Sequence, residues 1–216
     1  LDAAGMSLKI AFLTACMSLV MGMLASLALV RLGRFRGKMS FAGMITAPLV
    51  MPEVITGLSL LLLFVAMEKS FGWPGGRGML TIWIAHVTFS TAFVTVILSS
   101  RLKEIDRSLE EAGMDLGASP LKVFFVITIP IITPALLAAW LLAFTLSLDD
   151  LVIASFVSGP GSTTLPMKVF SSVRLGISPK INALASIIIA LVSLGVLTAG
   201  WIVRGWERKK TLGISQ

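Results

Sequence analysis

Three carboxylates stand where an apolar chain has least use for charge. Asp149 and Asp150 close the apolar run Ile131 to Leu148 and are followed by more apolar sequence, "LVIASFV". Glu53 lies within a second apolar run, directly after Pro52 and shortly after Pro48. An ionised side chain at membrane depth is costly, and where one is kept it usually serves an ion or substrate route. Three carboxylates near one path suit a dication. Other readings stay open: the aspartates cap helices at a membrane interface, and Glu53 pairs with a base of a neighbouring subunit or lies beyond the bilayer. The prolines before Glu53 are expected to kink or interrupt its helix and free carbonyls to face a cavity. His86 stands alone in an apolar stretch, with no second metal-ligating side chain at helical spacing, and reads as a packed, hydrogen-bonded histidine. The single cysteine, Cys16, leaves no internal disulfide and no Cys-based metal cluster, and reads as a lipid-facing or packing residue.

The elements that position these groups follow from composition. The chain has 216 residues, is 56% hydrophobic and 13% charged, and its mean hydropathy is +0.95. Those values lie outside the range of soluble domains and describe an integral membrane protein, which the helical spans below make all-α and polytopic. A hydrocarbon core of about 30 Å needs about 20 apolar helical residues. Five runs approach that size: Ser7 to Val30, Phe41 to Met67, Met79 to Ser100, Ile131 to Leu148, and Ile181 to Val203. The net charge of +7 would suggest a nucleic-acid binder in a soluble protein. Here the basic residues sit between spans, which argues for membrane orientation and against nucleic acid. Arg31, Arg34, Arg36 and Lys38 follow the first span, Arg101, Lys103, Arg107 and Lys122 the third, and Arg204, Arg208, Lys209 and Lys210 the fifth. If the spans alternate, these three segments share one face, which the positive-inside rule makes cytoplasmic. The amino end then lies outside. That placement, with Leu1 as first residue, leads to the expectation of one further, upstream span, six in all with both termini cytoplasmic. The polar segment from Ser155 to Lys180 is too polar to span and is expected to form a short amphipathic helix on the outer side.

One polar interruption, residues 101–130, has a definite local grammar. Ser108 followed by Glu111 reads as a capping box, and Gly117 is placed to end the helix in a left-handed conformation. Ser119 and Pro120 then read as N-cap and first position of a second helix carrying Leu121, Phe124 and Phe125 towards Pro130. An ordinary amphipathic connection on the membrane surface would have a similar pattern.

The same stretch, "EEAGMDLGASPLKVFFVITIP", resembles the cytoplasmic signature of ABC-importer permeases: Glu-Ala-Ala, three residues, Gly, nine residues, Ile-x-Leu-Pro. Glu111, Ala112, Gly117, Ile127 and Pro130 fall at its positions; Gly113 replaces the second Ala and Ile129 the Leu. Gly113 is expected to loosen the first helix by about 1 kcal/mol relative to Ala. The resemblance implies a single permease domain over residues 1–216, of the type I importer fold, with residues 101–130 as its coupling loop. That loop would dock on a cytoplasmic ATPase dimer, Glu111 pairing with a base of the ATPase and Ala112 allowing close approach. The family also implies a homologous sister permease, a periplasmic substrate-binding protein, and a place in the bacterial inner membrane. The chain has no GxxxxGK[ST] phosphate loop, so ATP is expected to be used by the partner, with no cofactor and no catalysis here.

The resemblance runs further, through "FAGMITAPLVMPEVITGLSLLLLF", "MLTIWIAHVTFSTAFV" and "LAFTLSLDDLVIASFVSGPGSTTLPMKVFSSVRLGISPKINALA", to the polyamine branch of bacterial permeases. Within it the chain looks like the second, downstream permease of a putrescine system. Putrescine or spermidine is the substrate the resemblance implies. Asp149, Asp150 and Glu53 by themselves suggest only a cation, and an importer of another small solute (amino acid, metal chelate, sulfate) or a secondary transporter stays open.

Overall fold

The computed structural model describes residues 2–174 and, beyond them, residues 183, 186, 187, 189, 190, 193 and 194. The described residues are helical apart from the connections. In chain order the helices are α1 (Asp2–Val30), α2 (Lys38–Val50), α3 (Glu53–Phe71), α4 (Met79–Glu104), α5 (Arg107–Asp115), α6 (Pro120–Val123), α7 (Ile129–Asp149), α8 (Val152–Val157) and α9 (Leu165–Arg174). The chain divides into two compact units, Leu1–Lys168 and Val169–Gln216, and the sites described below lie in the first.

The packing of α1 on α4 follows from small residues. Buried Ser7, Ala11, Ala15, Ser18, Gly22 and Ser26 recur at three- and four-residue intervals, which places them on one helix face. In lipid, where apolar contact alone gives helices no reason to associate, such a face lets backbones approach and gain dispersion contact. At Gly22 a Cβ would sit 2.5 Å from Val94 Cγ1 and 3.2 Å from the Thr95 amide nitrogen, so only glycine fits the crossing. α7 closes this bundle against both α1 and α4. Its buried Ile132, Ala139 and Ala143 join Ala15, Val94 and Leu98 in one core. Cys16 is a packing residue whose sulfur accepts the Trp140 indole N–H at 3.5 Å.

Two expected spans take a different form. The run Phe41 to Met67 is not one helix: α2 ends at Val50 and α3 starts at Glu53. Pro52, at φ −57° and ψ 135°, causes the break, because it forces Met51 into an extended conformation (φ −83°, ψ 134°) and has no N–H to continue the ladder. Pro48 stays inside α2. With 13 residues, α2 is about 20 Å long, too short to cross a core of about 30 Å.

The run Ile131 to Leu148, in contrast, is part of a longer helix, Pro120–Asp149. Pro130 does not stop it. Residues Phe124–Thr128 form a π-turn in which the Ile129 amide donates to the Phe124 carbonyl. The wider turn relieves the clash a proline ring makes with the carbonyl four residues back. Among the described residues α1, α3, α4 and Pro120–Asp149 are long and apolar enough to cross a membrane. The expected span Ile181 to Val203 falls largely outside the described residues. The expected amphipathic helix in the segment Ser155 to Lys180 is α9, whose first residue, Leu165, donates its amide to Ser7 Oγ at 2.7 Å.

Candidate functional site

At one end of the bundle α5 and α6 form a projecting knob. Its start differs from the capping box expected at Ser108 and Glu111: α5 begins at Arg107, and the Asp106 carboxylate accepts the Ser108 amide at 3.0 Å. Asp106 is the cap because its φ of −64° and ψ of 125° are extended, whereas Ser108 is already helical. The hydrogen bonds from Ser108 hold the Asp106 carboxyl below its ordinary range.

The far end of α5 is a Schellman turn. The Gly117 amide donates to the Met114 carbonyl at 2.8 Å and the Ala118 amide to the Gly113 carbonyl at 3.1 Å, with Gly117 at φ +83°. Ser119 Oγ then caps α6 by accepting the Lys122 amide at 3.4 Å, with Pro120 in the first turn. Both boundaries are therefore set by groups within a few residues.

The signature positions divide between two surfaces. Glu111, Ala112 and Gly117 are exposed, and Leu116 between them is 90% exposed. Ile127 is half-buried and faces Gly113, where a Cβ would lie 2.7 Å from its Cδ1 and 3.2 Å from Val123 Cγ2. The glycine that departs from the signature thus seats α5 closely on the α6 and π-turn segment. Pro130 is exposed just beyond the π-turn.

Glu110, one residue before the signature, is the polar junction of this end. Its Oε1 accepts Arg31 Nη2 at 3.0 Å and the Thr128 hydroxyl at 2.9 Å. Beside it Arg107 Nη2 donates to the Val30 carbonyl at 2.9 Å, giving a partner to one of the last carbonyls of α1. Between α1, α5 and the α6 to π-turn segment lies a largely apolar cavity of about 930 Å³, with Arg31, Arg107 and Glu110 among its lining residues. Sequence reading missed this junction because Arg31 and Glu110 are 79 residues apart.

The carboxylates thought to serve a path lie elsewhere, and the structure separates their environments. Asp150 Oδ2 accepts the Ala154 amide at 2.7 Å and Oδ1 the Ile153 amide at 3.3 Å, so Asp150 caps α8. Its Oδ2 also lies 3.1 Å from Nε2 of buried His86, whose Nδ1 is 2.7 Å from Ser147 Oγ. With Nε2 donating to the carboxylate, Nδ1 accepts the serine proton. Asp149, next in the chain, is exposed. Glu53 is exposed in the first turn of α3, a turn before Gly57, which packs against Ile153 and Phe156 of α8. Glu53 therefore stands on a helix neighbouring the one Asp150 caps; among the described residues no hydrogen bond or ion pair joins it to either aspartate.

Comparison with known proteins gives a consistent picture. Residues 18–211 match the family model described as binding-protein-dependent transport system inner membrane component. The chain is 62% identical over 216 residues to the putrescine transport system permease protein PotI of Escherichia coli, covering 100% of this chain and 77% of that one. It is 40% identical over 204 residues to the spermidine/putrescine transport system permease protein PotC of Haemophilus influenzae, 94% of this chain and 77% of that one. An amino acid ABC transporter crystallised with histidines shares the fold at a TM-score of 0.59 and 20% identity, over 96% of this chain and 92% of that one.

Proposed function

From the premise that the chain belongs to the binding-protein-dependent transport system inner membrane components, we propose that it is the permease subunit through which an ATP-driven importer takes up putrescine or spermidine. The substrate class rests on its likeness to the permeases PotI and PotC. The observation that carries the coupling half of the reading is the exposed knob of Glu111, Ala112, Leu116 and Gly117, fixed at both ends by local caps. A knob of that kind suits docking into a groove of a cytoplasmic ATPase, whose closure then moves attached helices as rigid bodies.

In this reading residues 1–216 act as one permease domain with residues 101–130 as the coupling loop. The α5 end of the bundle faces the cytoplasm and the α8 end the periplasm, in the bacterial inner membrane. A sister permease completes the path, an ATPase dimer hydrolyses the ATP, and a periplasmic binding protein delivers the polyamine. The chain itself catalyses nothing and needs no cofactor. Asp149 and Glu53 offer exposed carboxylates to a passing polyammonium ion, and Asp150 holds the end of α7 beside them. Co-expression with a sister permease, an ATPase and a binding protein, in cells lacking other polyamine importers, is expected to restore uptake of radiolabelled putrescine or spermidine. Failure of the ATPase to co-purify would overturn the coupling role. Co-purification with import of some other solute would overturn the substrate.

A further inference from the structure

We propose that Glu110, with Arg31 and Thr128, is the junction through which movement of the coupling helix α5 reaches α1 as well as α7; this rests on the coupling reading above. The first turn of α5 is stapled to the last turn of α1 by two bonds between neighbouring pairs, Glu110 with Arg31 at 3.0 Å and Arg107 with the Val30 carbonyl at 2.9 Å. The same Glu110 oxygen takes the Thr128 hydroxyl at 2.9 Å, the last residue of the π-turn that leads into α7. One carboxylate oxygen therefore joins three elements.

Its surroundings make that bond firm. The side chains of Arg31 and Glu110 are only 17% and 18% exposed, so water screens their charge less than at an open surface. One carboxylate oxygen receives two donors, one of them a guanidinium, the stronger class of hydrogen bond. The α5 helix also lies close on Ile127 and Val123 through Gly113, so it cannot shift without pushing on the π-turn. Packing would carry its motion to α7 even without Glu110. Besides the route through α4, which ends two residues before α5 and packs along α1, the polar groups Glu110 and Arg107 carry it directly to the end of α1, beside a cavity of about 930 Å³. Arg31 and Glu110 are thus positioning residues, separate from Glu111, whose exposed side chain is left to the ATPase.

The test uses the assembled importer in proteoliposomes and measures polyamine uptake, ATP hydrolysis and ATPase co-purification on the same preparations. Arg31→Gln and Glu110→Gln are each expected to lower uptake about tenfold, equivalent to about 1.4 kcal/mol. ATPase co-purification stays normal and hydrolysis stays within about twofold of wild type, so that ATP is spent without transport. Thr128→Val, which leaves the ion pair, is expected to have a smaller effect in the same direction. Exchanging the charges, Arg31→Glu with Glu110→Arg, is expected to recover most of the uptake, with the Thr128 hydroxyl turning from donor to acceptor. Normal uptake in both single variants overturns the junction, and so does a parallel loss of uptake, hydrolysis and assembly that the exchange does not recover. A wild-type chain that fails to retain the ATPase sinks the coupling reading itself, a different result.

Discussion

Nε2 of His86 lies 3.1 Å from Oδ2 of Asp150, a bond that ties the first half of α4 to the end of α7 across 64 residues of sequence. The same carboxylate caps α8 through the amides of Ile153 and Ala154. Removing it in Asp150→Ala leaves a buried histidine without its acceptor and a helix without its cap. The expected cost is about 2 kcal/mol, and Asp150→Asn, which keeps one oxygen, costs roughly half as much. Thermal unfolding of the detergent-purified protein measures this; a midpoint unchanged in Asp150→Ala would remove the aspartate's structural role.

Asp149 offers a cleaner test of the substrate path, because it is exposed and its amide variant disturbs no cap. A contact to a desolvated polyammonium ion is worth about 1–3 kcal/mol, whereas a screened interfacial carboxylate contributes well under 1 kcal/mol. Asp149→Asn is therefore expected to lower putrescine or spermidine uptake at least several-fold with unfolding unchanged, and Asp149→Asn with Asp150→Asn further still. Glu53→Gln is expected to act in the same direction, more weakly. Full uptake in the double aspartate variant would reduce both residues to helix-end groups.

The sequence was legible wherever the cause of a structure is local. Pro52 forbids helix at Met51, Gly117 is free to take φ +83°, and Ser119 with Pro120 opens a helix, each within a few residues of its effect. Ser108 suits a cap by residue type, but the helix already begins at Arg107, so the extended Asp106 takes that role and Ser108 supplies the amide it accepts. Pro130 misled because the π-turn absorbs its clash, so the helix expected to open at Pro120 and the span expected from Ile131 are one continuous helix, Pro120–Asp149. The junctions of Glu110 with Arg31 and of His86 with Asp150 depend on which helices become neighbours, and no periodicity in one segment encodes that.

Gly117 supplies the sharpest test of the coupling knob. A β-branched residue at φ +83° is strained by about 1–3 kcal/mol, and relieving that strain would undo the turn that joins α5 to α6. Gly117→Val is expected to lower uptake at least about tenfold while the chain still inserts, because losing even about 1.4 kcal/mol of docking energy is tenfold in affinity. Gly117→Asn, whose short polar side chain tolerates the left-handed region, is expected to keep most of the activity. Equal uptake in wild type and the valine variant, with equal ATPase retention, would remove the knob from the coupling mechanism.

The orientation of the chain can be tested with single cysteines, because the native one is easily removed. Cys16 accepts the Trp140 indole N–H, and the hydroxyl of Cys16→Ser can take the same bond, so the background is expected to fold normally. Into it go Arg36→Cys, in the basic connection after α1, and Leu116→Cys, at the 90% exposed tip of the knob. Ser70→Cys, a near-isosteric change, goes into the last turn of α3 at the opposite end, where the residue is exposed. The basic residues Arg31, Arg34, Arg36 and Lys38 place the first connection inside, and the bond from Arg107 to Val30 brings the knob to the same end. A membrane-impermeant thiol reagent applied to intact spheroplasts is therefore expected to label Ser70→Cys at once and to reach Arg36→Cys and Leu116→Cys only after permeabilisation. Labelling of Leu116→Cys from outside would put the knob on the side where no ATPase works, and the coupling reading would fall with the orientation.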